Sequence, residues 1–110
     1  MKRFVRTAAQ GDIRRQFRYY LVHEEAPEIA WKFLDAAEGA IQFVVRNPQL
    51  GSPRFFLNKT LKGLRSWPIA GFEDIWVYYV HTTEVVRIVR VLHGRRDLAR
   101  ILRKEDASID

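Results

Sequence analysis

From Ala9 to Val44 the apolar positions recur every three or four residues, and from Leu61 to Leu92 they crowd into short runs of Val, Ile, Tyr and Trp. The first pattern is that of amphipathic helices, the second that of strands. Lys2 to Arg6 alternates charge with Phe4 and Val5, which predicts a short opening strand. Thr7 to Gln10 has the spacing of a capping box that would start a helix at Thr7. Ala9, Ile13, Phe17, Tyr20 and Leu21 then form one buried stripe, with Arg14, Arg15 and Arg18 off it. Gly11 inside that helix costs about 1 kcal/mol relative to Ala.

Pro27 suits the first turn of a second helix, whose stripe is Ile29, Phe33, Ala37, Ala40, Ile41 and Val44, widened by Trp31, Leu34 and Phe43. Asn47-Pro48 ends it near Arg46, because the residue before proline is pushed out of helical geometry. So short a connection makes the two helices an antiparallel hairpin. Residues 49–60 read as a loop carrying Phe55, Phe56 and Leu57.

Three strands follow: Leu61 to Pro68, Ile75 to Val80 and Val85 to Leu92, with turns at Ala70-Gly71 and Thr82-Thr83-Glu84. Gly94 ends the last strand, a short helix is expected from Asp97 to Arg103, and about 105–110 is a frayed tail. The whole of 1–110 is one α+β domain of order β-α-α-β-β-β. Its hairpin packs on one face of a small, mainly antiparallel sheet in two layers, leaving the other face open. In the last strand Val86, Ile88, Arg90 and Leu92 alternate with Val85, Arg87, Val89, Val91 and His93. Each face holds an arginine, and the pattern does not choose which meets the helices.

Composition narrows the function classes. There is no cysteine, so disulfides and thiolate metal sites are excluded. His23, His81 and His93 are scattered, so neither a metal nor a cofactor is expected. The longest apolar run, Ile75 to Val80, is far short of the roughly 20 residues of a membrane span. No signal peptide opens the chain, which points to a soluble, cytoplasmic protein. A net charge of +6 favours nucleic acid or an acidic protein segment as partner.

Arg65, Arg95, Arg96 and His93, with the phenols of Tyr78 and Tyr79, are candidates to converge at one end of the sheet. Such a set offers acid, base and positive charge for cleaving RNA through its 2′-hydroxyl. A structural use of His93 and Arg96 fits the same residues. Trp67, Trp76, Tyr78 and Tyr79 are candidates for base stacking or for the core.

The run Leu64-Arg65-Ser66-Trp67-Pro68-Ile69, the strand Ile75 to Val80, and Arg90-Val91-Leu92-His93-Gly94-Arg95-Arg96-Asp97 resemble the RelE/ParE superfamily of bacterial type II toxins. Asp12-Ile13, Pro27-Glu28-Ile29-Ala30, Pro48 and Gly51 extend the likeness over nearly the whole chain. It implies a growth-inhibiting toxin of the plasmid-stabilisation type, neutralised in a hetero-oligomer by an antitoxin with an acidic tail and a DNA-binding repressor domain. RelE-like members cut mRNA on the ribosome, whereas ParE-like members poison DNA gyrase without being nucleases. At places where RelE-like nucleases usually carry basic residues this chain has Leu61, Gly63 and Ile75, so it looks closer to the ParE-like branch. Arg90, Arg95 and Arg96 are then the target-binding candidates. A RelE-like endoribonuclease would instead use His93, Arg65, Arg96 and Tyr79 as catalytic residues. A basic binding module without toxicity is the third alternative.

Overall fold

The computed structural model describes residues 1–54, 61–94 and 100–101. Strand β1 (Lys2–Val5) leads into helix α1 (Thr7–Arg18), which continues through a π-helical turn at Tyr19–His23. Helix α2 (Pro27–Arg46) returns alongside it, and strands β2 (Ser52–Pro53), β3 (Arg65–Ile69), β4 (Phe72–His81) and β5 (Val85–His93) follow. The sheet order is β1-β5-β4-β3-β2, with β1 parallel to β5 and the other neighbours antiparallel. This is the expected two-layer α+β arrangement. It gains one strand, β2, in a segment that reads as loop; Pro53 is tolerated there because β2 lies at the sheet edge. Of the short helix expected from Asp97 to Arg103, only the helical Arg100 and Ile101 are described. Phe55 to Leu57 and the tail at 105–110 lie outside the described residues.

The start of α1 departs from the capping box. Arg6 takes the N-cap position without a side-chain bond, and Thr7 is already helical. Arg6 keeps extended backbone because its N–H donates to the Ile88 carbonyl at 3.1 Å, prolonging the β1–β5 ladder. Gln10 Nε2 then donates to the Val5 carbonyl at 2.9 Å.

Ala9, Ile13 and Tyr20 of the expected stripe join the main core, and Phe17 is half-buried. Leu21 does not follow them; it is exposed. The π turn widens the coil from i→i+4 to i→i+5 bonding, which rotates Leu21 and Val22 off the buried stripe. On α2 the buried residues are Ala30, Phe33, Ala37, Ala40, Ile41 and Val44, whereas Ile29 and Trp31 are exposed. Three alanines on the contact line bring the helix close to the sheet, so flanking side chains are left outside.

The sheet is covered on both faces, not one. On the helical side Ile69, Ile75, Val77, Tyr79, Val86, Ile88 and Val91 pack under Phe33, Ile41 and Val44. On the other side Leu61 and Leu64 bury Tyr78, Val89 and Leu92, with Trp76, Val80 and Ile101 against them. Leu61 to Leu64 is therefore a turn laid over the sheet and not the start of β3. The Leu64 N–H donates to the Leu61 carbonyl at 3.0 Å, and Gly63 takes a φ of +83° that glycine adopts without a Cβ penalty.

A bulge in β5 settles which face its residues occupy. Tyr78 pairs with Arg90 and Tyr79 with Ile88, leaving Val89 extra. The alternation slips by one there, so Val86, Ile88 and Val91 share the helical face while Val89 and Leu92 share the other. Strict alternation, which grouped Val86 and Ile88 with Leu92, fails for that reason. Arg87 pairs with Val80 on the face away from the helices, its guanidinium 5.3 Å from the Phe4 ring centroid.

Candidate functional site

Arg65 and Tyr79 are direct cross-strand partners on the helical face. Their polar atoms hold the segment that leaves α2. The Tyr79 hydroxyl donates to the Pro48 carbonyl at 2.8 Å and accepts the Gly51 N–H at 3.0 Å. Arg65 Nη1 donates to the Gly51 carbonyl at 2.7 Å. Burial pushes the Tyr79 phenol pKa up, against the opposing pull of the Gly51 N–H and the Arg65 charge. The phenol is thus a fixed, neutral clasp. Gly51 is required at this spot, since an added Cβ would fall 2.8 Å from Cε1 and Cζ of Tyr79.

His93 sits at the opposite end of the sheet, paired with Ile75. Ile75 and Tyr79 are four residues apart on β4, so His93 lies about 13 Å along the strand direction from the Arg65–Tyr79 pair. Next to His93, the Gly94 N–H donates to the Asp74 carbonyl at 2.6 Å. Tyr20, Gly71 to Ile75 and His93 line an open hollow of about 370 Å³. Tyr78 and Tyr79 face opposite sides of the sheet, Tyr78 lying in the second core where burial raises its phenol pKa.

Arg90 meets α1. Its Nε donates to Asp12 Oδ2 at 2.7 Å and its Nη2 to Asp12 Oδ1 at 2.8 Å. The Val91 N–H donates to the same Oδ2 at 2.9 Å, and Arg15 Nη1 reaches Oδ1 at 3.3 Å. The β1 register stops at Val5 opposite Ile88, so Asp12 takes over where the strand no longer covers the edge of β5. Arg95 and Arg96 lie outside the described residues.

The aromatic candidates for stacking are occupied within the fold. Trp67 stacks on Phe43 with centroids 4.4 Å apart, and Tyr78 and Tyr79 are fully buried. Trp76 has the Arg54 guanidinium over its ring at 5.3 Å, while Arg54 Nε donates to Ser66 Oγ at 2.8 Å. Among the described residues no group of three acidic or histidine side chains is placed to hold a metal ion. No described helix is long and apolar enough to cross a membrane.

The family model described as the ParE toxin of the type II toxin-antitoxin system, parDE, matches residues 4–98. The chain belongs to this family. It is a type II toxin of the ParE branch within the RelE/ParE superfamily. Among solved structures it is similar to a chain of the chromosomal ParDE TA system from P. aeruginosa. The two share 14% identity and a TM-score of 0.65, over 84% of this chain and 95% of that one. At that identity the likeness concerns the fold. Among curated proteins there is no match.

In this ParE-family chain the four ribonuclease candidates do not form one cluster among the described residues. Arg65 and Tyr79 stand together, His93 stands apart, and Arg96 is not described. The residues that sequence reasoning missed are Asp12, the Pro48–Gly51 segment and Arg54. Asp12 did leave a signal. It falls three residues after Ala9 on the buried stripe, and an acid on an apolar stripe requires a buried partner. Nothing in the sequence marked Gly51 as the glycine that must admit a tyrosine hydroxyl.

Proposed function

We propose that this ParE-family toxin arrests growth in the cytoplasm by binding DNA gyrase, without being a nuclease, and that a cognate antitoxin holds it inactive. The observation that carries the reading is the use made of Arg65 and Tyr79. Both are tied to the Pro48–Gly51 backbone, and His93 lies about 13 Å along the sheet from them. General acid–base cleavage requires its groups within hydrogen-bond reach of one reacting phosphate. The family match over residues 4–98 supports the same branch. The net charge of +6 suits an antitoxin tail rich in Asp and Glu, which would speed association and make it salt-sensitive.

Induction in cells tests the proposal. Growth should stop, plasmid DNA should relax or break, and transcripts should remain uncut by primer extension. Co-expression of the neighbouring reading frame should restore growth. Early transcript cleavage with unchanged plasmid topology would overturn the gyrase reading in favour of a ribonuclease.

A further inference from the structure

The outer face of the helical hairpin, turned away from the sheet, carries two arginines on α1 and two carboxylates on α2, with the exposed Lys32 between the carboxylates. Arg14 and Arg18 are one turn apart on α1, opposite its buried Ala9 and Asp12. Glu28 and Asp35 stand on the exposed side of α2, opposite Phe33, Ala37 and Val44. None of these four has an ion pair within the described residues, in contrast to Arg3 and Glu38 nearby, which pair at the β1 edge. Between the two charged rows lies apolar surface. Trp31 is 60% exposed, its ring centroid 5.1 Å from that of Phe17 in a T-shaped pair, and the π turn adds Val22, 67% exposed. An exposed tryptophan flanked by unpaired charges is a feature of an interface, not of a solvated helix face.

We infer that this face is where a second copy of the chain docks, in a two-fold dimer that sets each α1 over the other copy's α2. The Phe17–Trp31 contact fixes the levels of the antiparallel helices. At 1.5 Å per residue, Arg14 lies about 4.5 Å from that level and Asp35 about 6 Å in the same direction. Arg18 and Glu28 lie about 1.5 and 4.5 Å the other way. A two-fold axis in the interface, parallel to the helices, exchanges α1 for α2 and leaves these levels unchanged. Arg14 of each copy then faces Asp35 of the other, and Arg18 faces Glu28, twice each by symmetry. Such self-complementarity is what an isologous interface requires. Trp31 leans over the groove between the helices, so the two copies of it come near the axis, where interface energy concentrates.

The face is about 30 Å long and two helices, or about 20 Å, wide. That is less than the roughly 800 Å² per partner of a standard stable interface, so the dimer is a reversible one. It stands independently of the toxin's target.

Sedimentation equilibrium on the full chain, made in a cell-free reaction, tests the dimer. The wild type should dimerise reversibly at micromolar concentrations. Arg18→Glu should weaken the dimer at least tenfold, as should Glu28→Arg, and the double variant Arg18→Glu/Glu28→Arg should recover most of the loss. Trp31→Asp should leave a monomer with an unchanged circular dichroism spectrum. A wild type that stays monomeric at several hundred micromolar overturns the inference. So does a dimer indifferent to these charge reversals, or a monomer whose hairpin binds an acidic amphipathic peptide instead.

Discussion

Asp12 Oδ2 accepts two hydrogen bonds from β5, one from Arg90 Nε at 2.7 Å and one from the Val91 backbone N–H at 2.9 Å. The carboxylate is almost wholly buried, with 3% of its side chain exposed against 17% for Arg90. It joins α1 to the strand edge that β1 leaves uncovered, one residue past the β5 bulge. Removing the carboxylate takes a buried acceptor from the Val91 N–H and from Arg90 Nε, and a buried hydrogen bond lost on one side costs about 1–3 kcal/mol. Asp12→Ala should therefore lower stability by that amount in urea unfolding. Asp12→Asn should cost less, because its Oδ1 still accepts from Val91. Arg90→Ala should lose toxicity in proportion to lost stability, and it is a poor probe of target binding for that reason.

Gly51 and Tyr79 should be energetically coupled. Tyr79→Phe removes the bonds to Pro48 and Gly51, and a buried bond lost on one side costs about 1–3 kcal/mol. Gly51→Ala should cost a similar amount by overpacking against the phenol. Because both act at one contact, the double variant should cost clearly less than the sum, measured as a double-mutant cycle in denaturant.

Three phenols set the alkaline limit of the fold. Burial raises the pKa of Tyr20, Tyr78 and Tyr79 above the ordinary 10.0. The folded state favours the neutral phenol, so this contribution is intact below pH 10 and is lost as pH rises through the raised folded values. A pH titration followed by phenolate absorbance and circular dichroism should show unfolding coupled to tyrosine ionisation. Tyr79→Phe should be less stable at neutral pH yet fall less steeply above pH 10.

Leu64 tests the second core. It is 1% exposed on the face away from the helices, against Tyr78, Val89 and Leu92. Leu64→Ala should cost about 2–5 kcal/mol in urea unfolding, as for any buried leucine. A loss below 0.5 kcal/mol, on the scale of ordinary surface substitutions, would mean that this turn is not part of the fold's core.

The helices and the β3–β4–β5 meander were legible because their apolar spacing is local, and Pro27, Asn47-Pro48, Gly71 and Thr82 punctuate it. What escaped depends on contacts distant in sequence. Whether the sheet's far face is open could not be read from Leu61 and Leu64, whose partners Val89 and Leu92 are about thirty residues on. The bulge at Val89 carries no glycine or proline to announce it, yet it reassigns every later side chain of β5 to a face. The same limit applies to the site. Arg65, Tyr79 and His93 are all real features of the sheet, but strand lengths and register set their separation, and residue type does not report register. Leu21 was misplaced for a simpler reason, since a stripe drawn at constant pitch cannot anticipate the π turn at Tyr19–His23, and Trp31 because the alanine contact line of α2 leaves its flanking side chains outside.

The central claim is most directly tested with purified gyrase and relaxed plasmid. At stoichiometric excess over the enzyme, the full chain should block ATP-dependent supercoiling or accumulate cleaved DNA, and His93→Ala should retain that effect. Unimpaired supercoiling with no cleaved DNA, from protein shown to be folded, would contradict it.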